Sequence, residues 1–178
     1  MNRPILLGLC GSLRRESLNR KLMLEAARAW PGGFAEGSLR LPLYDGDLED
    51  TGIPAEVTAL AEAVVAADAL LIACPEYNKG PPGVLKNALD WLSRVRPNPI
   101  WSKPLAIVSA TAGRAGGERA QTMLRAMLTP HRAEVLTWPE VLVGGAEAEF
   151  DTAGRLTADR YRNAVAQLVG NLVERAAR

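Results

Sequence analysis

Histidine and cysteine are scarce. His131 stands alone, and Cys10 and Cys74 are the two cysteines of 178 residues. Two cysteines make no disulfide framework, and no Cys/His cluster has metal-ligand spacing, so no metal is expected. An excess of one charge sign is also missing: Lys plus Arg is 21 and Asp plus Glu is 20, a net charge of +1. That gives no global attraction to nucleic acid or to anionic membrane. No apolar run approaches the roughly 20 residues that span a bilayer. After Met-Asn-Arg-Pro the first apolar segment is about seven residues, too short for a signal peptide, so the expected compartment is the reducing cytoplasm. Repeats, low-complexity runs and long linkers are absent. What remains is a chain 48% hydrophobic and 23% charged, the balance of one globular domain over residues 1–178.

Strand and helix signals alternate along it. Pro4 to Cys10, Ala69 to Cys74 and Leu105 to Ala110 are short continuous apolar runs, as in strands buried on both faces. Residues 34 to 43 are read as a further strand and Glu134 to Val143 as a fifth, with Pro139 at a bulge or edge. Helical stripes run through Leu18, Leu22, Ala26 and Ala29, and through Val57, Leu60, Ala61, Val64 and Val65 after Pro54. Further helices are predicted from Val84 to Val95, Glu118 to Leu128 and Tyr161 to Ala176. Five strands alternating with five helices predict an α/β fold, a parallel sheet covered on both faces. In such sheets ligands bind beyond the carboxyl ends of the strands, where strand order reverses.

Three loops at that edge carry the functional signal. Gly11-Ser12-Leu13-Arg14-Arg15-Glu16-Ser17-Leu18-Asn19 joins a strand to a helix. Amides at a helix N-terminus attract anions, Ser12 and Ser17 add hydroxyls, and Arg14 adds a fixed charge that can grip phosphate. The Walker and dinucleotide glycine patterns are both absent. A helix cap at Ser17 with solvated arginines explains the same residues. Pro75-Glu76-Tyr77-Asn78-Lys79-Gly80-Pro81-Pro82-Gly83 is stiffened by prolines and suits the edge of a flat heterocycle, or a rigid turn that launches a helix. Thr111 to Arg119 is glycine-rich. It either flanks a planar ring and offers Arg114 or Arg119 to a second anion, or is a flexible surface loop.

Together these segments resemble the NADPH-dependent FMN reductase family, which includes NAD(P)H quinone and chromate reductases. Its Gly-Ser-x-Arg-x-x-Ser-x-Asn pattern is met by Gly11, Ser12, Arg14, Ser17 and Asn19, and its Pro-Glu-Tyr-Asn by Pro75 to Asn78. A helix motif is met by Pro82, Gly83, Leu85, Lys86, Asn87, Ala88, Asp90, Trp91, Ser93 and Arg94, and a last segment by Gly116, Gly117, Arg119 and Gln121. The resemblance implies a flavodoxin-like, doubly wound, five-stranded parallel sheet in three α/β/α layers. It implies FMN as cofactor and NADPH or NADH as co-substrate. It assigns phosphate contacts to Ser12, Arg14, Ser17 and Asn19, with Gly11 and Leu18 in the same loop. Ring contacts fall to Pro75, Glu76, Tyr77 and Asn78, with Ala110 and Gly113 on the facing loop. Lys79, Gly80, Arg114 and Arg119 are the candidates for nicotinamide or substrate. Two departures are visible: Lys79-Gly80 replaces a common serine, and Ala110 replaces a serine near the flavin.

The implied activity is hydride transfer from NAD(P)H through FMN to a small-molecule acceptor: a quinone, chromate, an azo compound or a free flavin. An electron carrier without a nicotinamide site and a non-catalytic nucleotide-binding module are the competing classes. A homodimer or homotetramer is expected, with Trp91, Leu92 and Arg94 as an interface patch. The two cysteines are read as buried hydrophobes, His131 as a surface residue, and Asp45 and Asp47 as a solvated turn.

Overall fold

The computed structural model describes residues 3–178. Its central sheet is parallel throughout, in the order β2-β1-β3-β4-β5, with β6 also paired to β4. The strands are β1 (Ile5–Cys10), β2 (Gly33–Gly37), β3 (Ala69–Ala73), β4 (Pro104–Ala110), β5 (Glu134–Val135) and β6 (Val141–Val143). The helices are α1 (Leu18–Ala29), α2 (Gly46–Asp50), α3 (Ala55–Ala66), α4 (Gly83–Leu92), α5 (Glu118–Leu128) and α6 (Asp159–Ala176). This is the doubly wound flavodoxin order, and strand order reverses between β1 and β3.

Alternation along the buried strands builds two different faces. Leu6, Cys10, Ala69, Leu71, Ala73, Ala106, Val108 and Ala110 pack towards α1 and α6. Leu7, Leu9, Leu70, Ile72, Leu105 and Ile107 pack towards α3, α4 and α5. The first face is built from smaller side chains, so α1 lies close to the sheet. Gly8 shows how close: a Cβ there would stand 2.6 Å from the Met23 sulfur and 2.8 Å from the Phe34 ring. Each fully buried Leu or Ile contributes on the order of 1.5–3 kcal/mol.

The structure corrects several readings. The strand expected over 134–143 is two short strands on β4, separated by a segment containing the cis Trp138-Pro139 bond. Proline has no N–H to offer a ladder there. The strand expected over 34–43 ends at Gly37, because α4 captures the chain that follows. Asn87 Nδ2 and Trp91 Nε1 both donate to the Pro42 carbonyl, at 2.9 and 2.8 Å, and the Tyr44 N–H donates to Asn87 Oδ1 at 2.8 Å. This explains part of the helix motif: Asn87 and Trp91 are a latch. It also removes the expected interface patch, because Trp91 and Leu92 are wholly buried inside the chain. The helix itself stops at Leu92 rather than Val95, with Ser93 Oγ donating to the Asp90 carbonyl. Asp45 and Asp47 form the start of α2, where Asp45 accepts from the Asp47 N–H. Among the tryptophans, Trp30 and Trp91 are core, while Trp101 and Trp138 are exposed.

His131 is a further correction, being buried rather than at the surface. A 3-10 turn over Thr129–His131 folds its ring inward, where Nδ1 lies 3.1 Å from Asn98 Nδ2. Burial lowers its pKa from the usual 6.5, with Lys86 adding to this and Asp90 opposing it. The unfolded chain then takes up this proton at higher pH than the folded one. His131 therefore favours folding above about pH 6.5 and loses that contribution as pH falls below it. The thermal midpoint should drop more steeply between about pH 7 and about pH 5 than in His131→Gln. Parallel curves for the two proteins would show that His131 is not the titrating group.

Among the described residues, no helix is long and apolar enough to cross a membrane.

Candidate functional site

The switch point between β1 and β3 is where the predicted loops meet. A pocket of about 160 Å³ opens there. Ser12, Arg14, Ser17, Leu18 and Asn19 line one side, Pro75, Glu76 and Tyr77 a second, and Thr111, Ala112 and Glu147 the third.

The first loop forms the cap, and the cap leaves the neighbouring amides unpaired. Ser17 is the N-cap of α1, its Oγ accepting from the Arg20 N–H at 3.1 Å. The amides of Leu18 and Asn19 carry no hydrogen bond among the described residues, as expected in a helix's first turn. Ser12 Oγ accepts weakly from the Arg14 N–H and lies 3.4 Å from the Tyr77 hydroxyl, which bridges the first loop to the second. The Arg14 guanidinium makes no ion pair or hydrogen bond among the described residues, and it is exposed at the rim. Gly11 sits behind the wall. A Cβ there would stand 2.7 Å from Leu85 and 3.0 Å from Pro75, so glycine lets the two loops touch.

The Asn19 side chain, unlike its backbone N–H, is committed to the protein. It is 4% exposed, its Nδ2 donates to the Ala110 carbonyl at 2.7 Å, and its Oδ1 accepts from the Ala110 N–H at 3.0 Å. It fastens α1 to the end of β4 and so fixes the start of the Thr111-Ala112 wall. Ala110 is held by its backbone alone. Glu76 is also committed: its Oε2 accepts from the Ala120 N–H at 3.2 Å, capping α5 from the neighbouring loop.

Asn78 and Lys79 lie away from the wall. Both have positive φ, 50° and 67°, and they are the centre of a tight hairpin closed by Tyr77 and Gly80, whose amides and carbonyls bond each other at 2.9 and 3.1 Å. Gly80 packs beside Met123 at the same rim. Gly113, Arg114 and Arg119 are exposed and outside the pocket lining. The loop that carries them is pinned from within. Gln121 Nε2 donates to Ser109 Oγ at 2.8 Å and to the Val141 carbonyl at 3.0 Å, and Ser109 Oγ donates to the Gly116 carbonyl at 2.5 Å.

Thr111, Ala112 and Glu147 line the pocket and are absent from the sequence-based site. Glu147 follows β6, so its place beyond the carboxyl end of a strand was the available signal. Cys10 and Cys74 are free and buried. Burial raises both thiols, Cys74 to about 12, and neither is a thiolate at neutral pH.

The residues present fit FMN: unpaired helix amides and Arg14 suit a phosphate, and the prolines of the second loop give a stiff apolar edge.

The fold defines a flavodoxin-like protein, with an open pocket at the β1/β3 reversal. Residues 4–148 match the family model described as NADPH-dependent FMN reductase. An NAD(P)H-dependent FMN reductase of Pseudomonas aeruginosa is 43% identical over 164 residues, covering 90% of this chain and 89% of that protein. A quinone reductase of Escherichia coli K12 is 39% identical, covering 80% of this chain and 79% of the other. Among solved structures, the flavoenzyme NAD(P)H:(acceptor) oxidoreductase FerB from Paracoccus denitrificans superposes with a TM-score of 0.89 at 28% identity, covering 98% of this chain and 97% of that one. The chain belongs to the NADPH-dependent FMN reductase family. It is an oxidoreductase that uses FMN and draws on NAD(P)H.

Proposed function

We propose that this enzyme reduces small quinones, taking NAD(P)H and the quinone in turn at one opening above the Pro75–Tyr77 and Thr111–Ala112 walls. The observation that carries this is the convergence of three loops on a single open pocket at the strand-order reversal. Bound FMN supplies the chemistry, accepting hydride and passing the electrons on. Arg14, Ser12 and the Leu18 and Asn19 amides would hold its phosphate. Pro75 and Tyr77 would border its ring, with the Ala110–Ala112 backbone opposite. Ser17 and Asn19 are positioning residues, one fixing the helix end and the other the facing wall.

Few side chains at the rim are free to hydrogen-bond an acceptor. Glu76 is spent on α5, so discrimination among quinones should be weak. Named quinone reductases among the relatives agree with that acceptor class. Anaerobic addition of NADPH should bleach the yellow protein, and a quinone should restore the colour. Initial rates should give parallel double-reciprocal lines, since donor and acceptor share one opening. Protein that stays yellow under NADPH would be an electron carrier instead, and a colourless protein a binding module. Intersecting lines would remove the shared opening and leave the reductase assignment in place.

We also propose that the enzyme works in the cytoplasm as a homodimer or homotetramer. The exposed Leu13, Tyr77 and Met123 around the pocket mouth supply apolar surface in place of the buried Trp91 and Leu92. Light scattering at micromolar concentration should give a multiple of 19.1 kDa, and the monomer mass would refute assembly.

A further inference from the structure

Two carboxylates, those of Glu76 and Glu147, line the flavin pocket against one guanidinium, that of Arg14. Glu76 is held by the protein, its Oε2 accepting from the Ala120 N–H. Arg14 is matched to the FMN phosphate. Glu147 differs from both: it is exposed, and its carboxylate makes no ion pair or hydrogen bond among the described residues.

Its backbone is nevertheless held in place. Glu147 belongs to a 3-10 turn, Ala146–Glu149, that follows β6. The Ala146 N–H donates to the Thr111 carbonyl at 3.0 Å, and the Gly145 N–H to the Gly113 carbonyl at 3.3 Å. Gly145 enters the turn at φ 58°, the left-handed region open to glycine. Ala146 is fully buried, and Glu149 is drawn off to Arg160, whose Nη2 lies 2.7 Å from its Oε1. The turn is thus stitched to the Thr111–Gly113 loop, and Glu147 is its residue that faces the pocket.

A phosphomonoester carries roughly 1.5–2 negative charges at neutral pH, so FMN more than neutralises Arg14 and leaves the opening negative. Lys79, Arg114 and Arg119 are exposed on the surrounding loops and outside the lining. The chain as a whole carries +1, so its long-range field does little to draw or repel an anion. Discrimination by charge falls to the groups at the opening.

We propose that Glu147 selects the acceptor by charge, admitting uncharged quinones and disfavouring anions such as chromate or sulfonated quinones. The inference rests on the quinone-reductase reading above and adds the charge of the acceptor to it. An anion over the Thr111-Ala112 wall approaches an uncompensated carboxylate, and like charges at a partly solvated rim repel. An uncharged quinone meets no such barrier.

The flavin of the FMN-loaded protein is photoreduced without NADPH, and its reoxidation is followed by stopped flow with naphthoquinone and with naphthoquinone sulfonate. In that step the quinone takes two electrons and two protons from the reduced flavin and becomes the hydroquinone. The quantity read is the ratio of second-order rate constants, sulfonate over uncharged. Glu147→Gln should raise it about three- to tenfold. Glu147→Asp should hold it within about twofold of the parent, and Glu147→Lys should raise it further than Glu147→Gln. In the parent the ratio should climb as salt rises from about 0.01 M to about 1 M, and in Glu147→Gln it should climb less. Naphthalene sulfonate and naphthalenemethanol, which take no electrons from the flavin, should show the same change in relative affinity for the oxidised protein, read from flavin absorbance. A ratio unmoved by Glu147→Gln and Glu147→Lys would overturn the proposal. So would a rise of equal size at every salt concentration, which would make the effect one of shape rather than charge. FMN affinity shifted as strongly as the ratio would overturn it too, by placing the carboxylate against the flavin phosphate. Photoreduction supplies the electrons, so failure of NADPH to bleach the protein would count against the reductase reading alone.

Discussion

Arg14→Ala is expected to weaken FMN binding about tenfold to a hundredfold while leaving riboflavin binding nearly unchanged. The guanidinium stands at the pocket rim with no protein partner among the described residues. Its loss removes charge-assisted hydrogen bonds to phosphate worth roughly 1.5–3 kcal/mol and opens no hole in the core. Arg15→Ala should change FMN affinity much less. Arg15 lines a neighbouring cleft but not the flavin pocket, and its side chain is 96% exposed. Quenching of flavin fluorescence on titration gives both affinities directly. A larger loss in Arg15→Ala than in Arg14→Ala would put the phosphate on the other side of the first loop. Equal affinity of the parent protein for FMN and riboflavin would show that no phosphate is held at all. The fold should survive both changes, so an unchanged thermal midpoint without flavin is the control.

The parts of this site that were legible in the sequence are those where one local rule decides. β1, β3 and β4 are buried on both faces, so each is an unbroken apolar run such as Leu70-Leu71-Ile72. The loops after them stand out because a strand-to-helix turn beside a ligand concentrates Gly, Pro and Ser. What was illegible depends on contacts between distant segments. Nothing near Pro42 says that Asn87 and Trp91, 45 and 49 residues on, will take its carbonyl and end β2 early. Trp91 and Leu92 resemble an interface patch until α4 is rotated onto the sheet. His131 follows a proline among polar residues, a surface signature, yet the 3-10 turn aims its ring at Asn98. Glu147 enters the pocket only because β6 ends at the same edge as β4. Glu76 and Asn19 show a further limit. A motif reports that a polar residue is needed, not whether its partner is a ligand or the backbone of another loop.

Asn19 gives that distinction its sharpest test. Asn19→Ala should cost about 2–6 kcal/mol of stability, because it orphans two buried backbone groups, the Ala110 N–H and carbonyl, at about 1–3 kcal/mol each. At about 2–4 °C per kcal/mol for a chain of this size, the thermal midpoint should drop by roughly 4–24 °C. FMN affinity should fall as well, since Ala110 leads directly into the Thr111-Ala112 wall. Asn19→Asp separates a backbone clasp from a ligand contact. An ionised carboxylate can accept from the Ala110 N–H but would face the Ala110 carbonyl with no proton to share. The protonated acid restores both bonds. Its folded-state pKa must then lie above the unfolded value, about 3.9. The stabilisation is present in full below that value and is lost as pH rises through the folded-state pKa. Relative to the parent, Asn19→Asp should be weakest at neutral pH and gain ground as the solution is acidified. Urea denaturation of the flavin-free proteins at several pH values reads this without any contribution from ligand. A constant stability difference across that range would mean that the amide is not clasping Ala110, and that its place in the motif reflects contact with the cofactor.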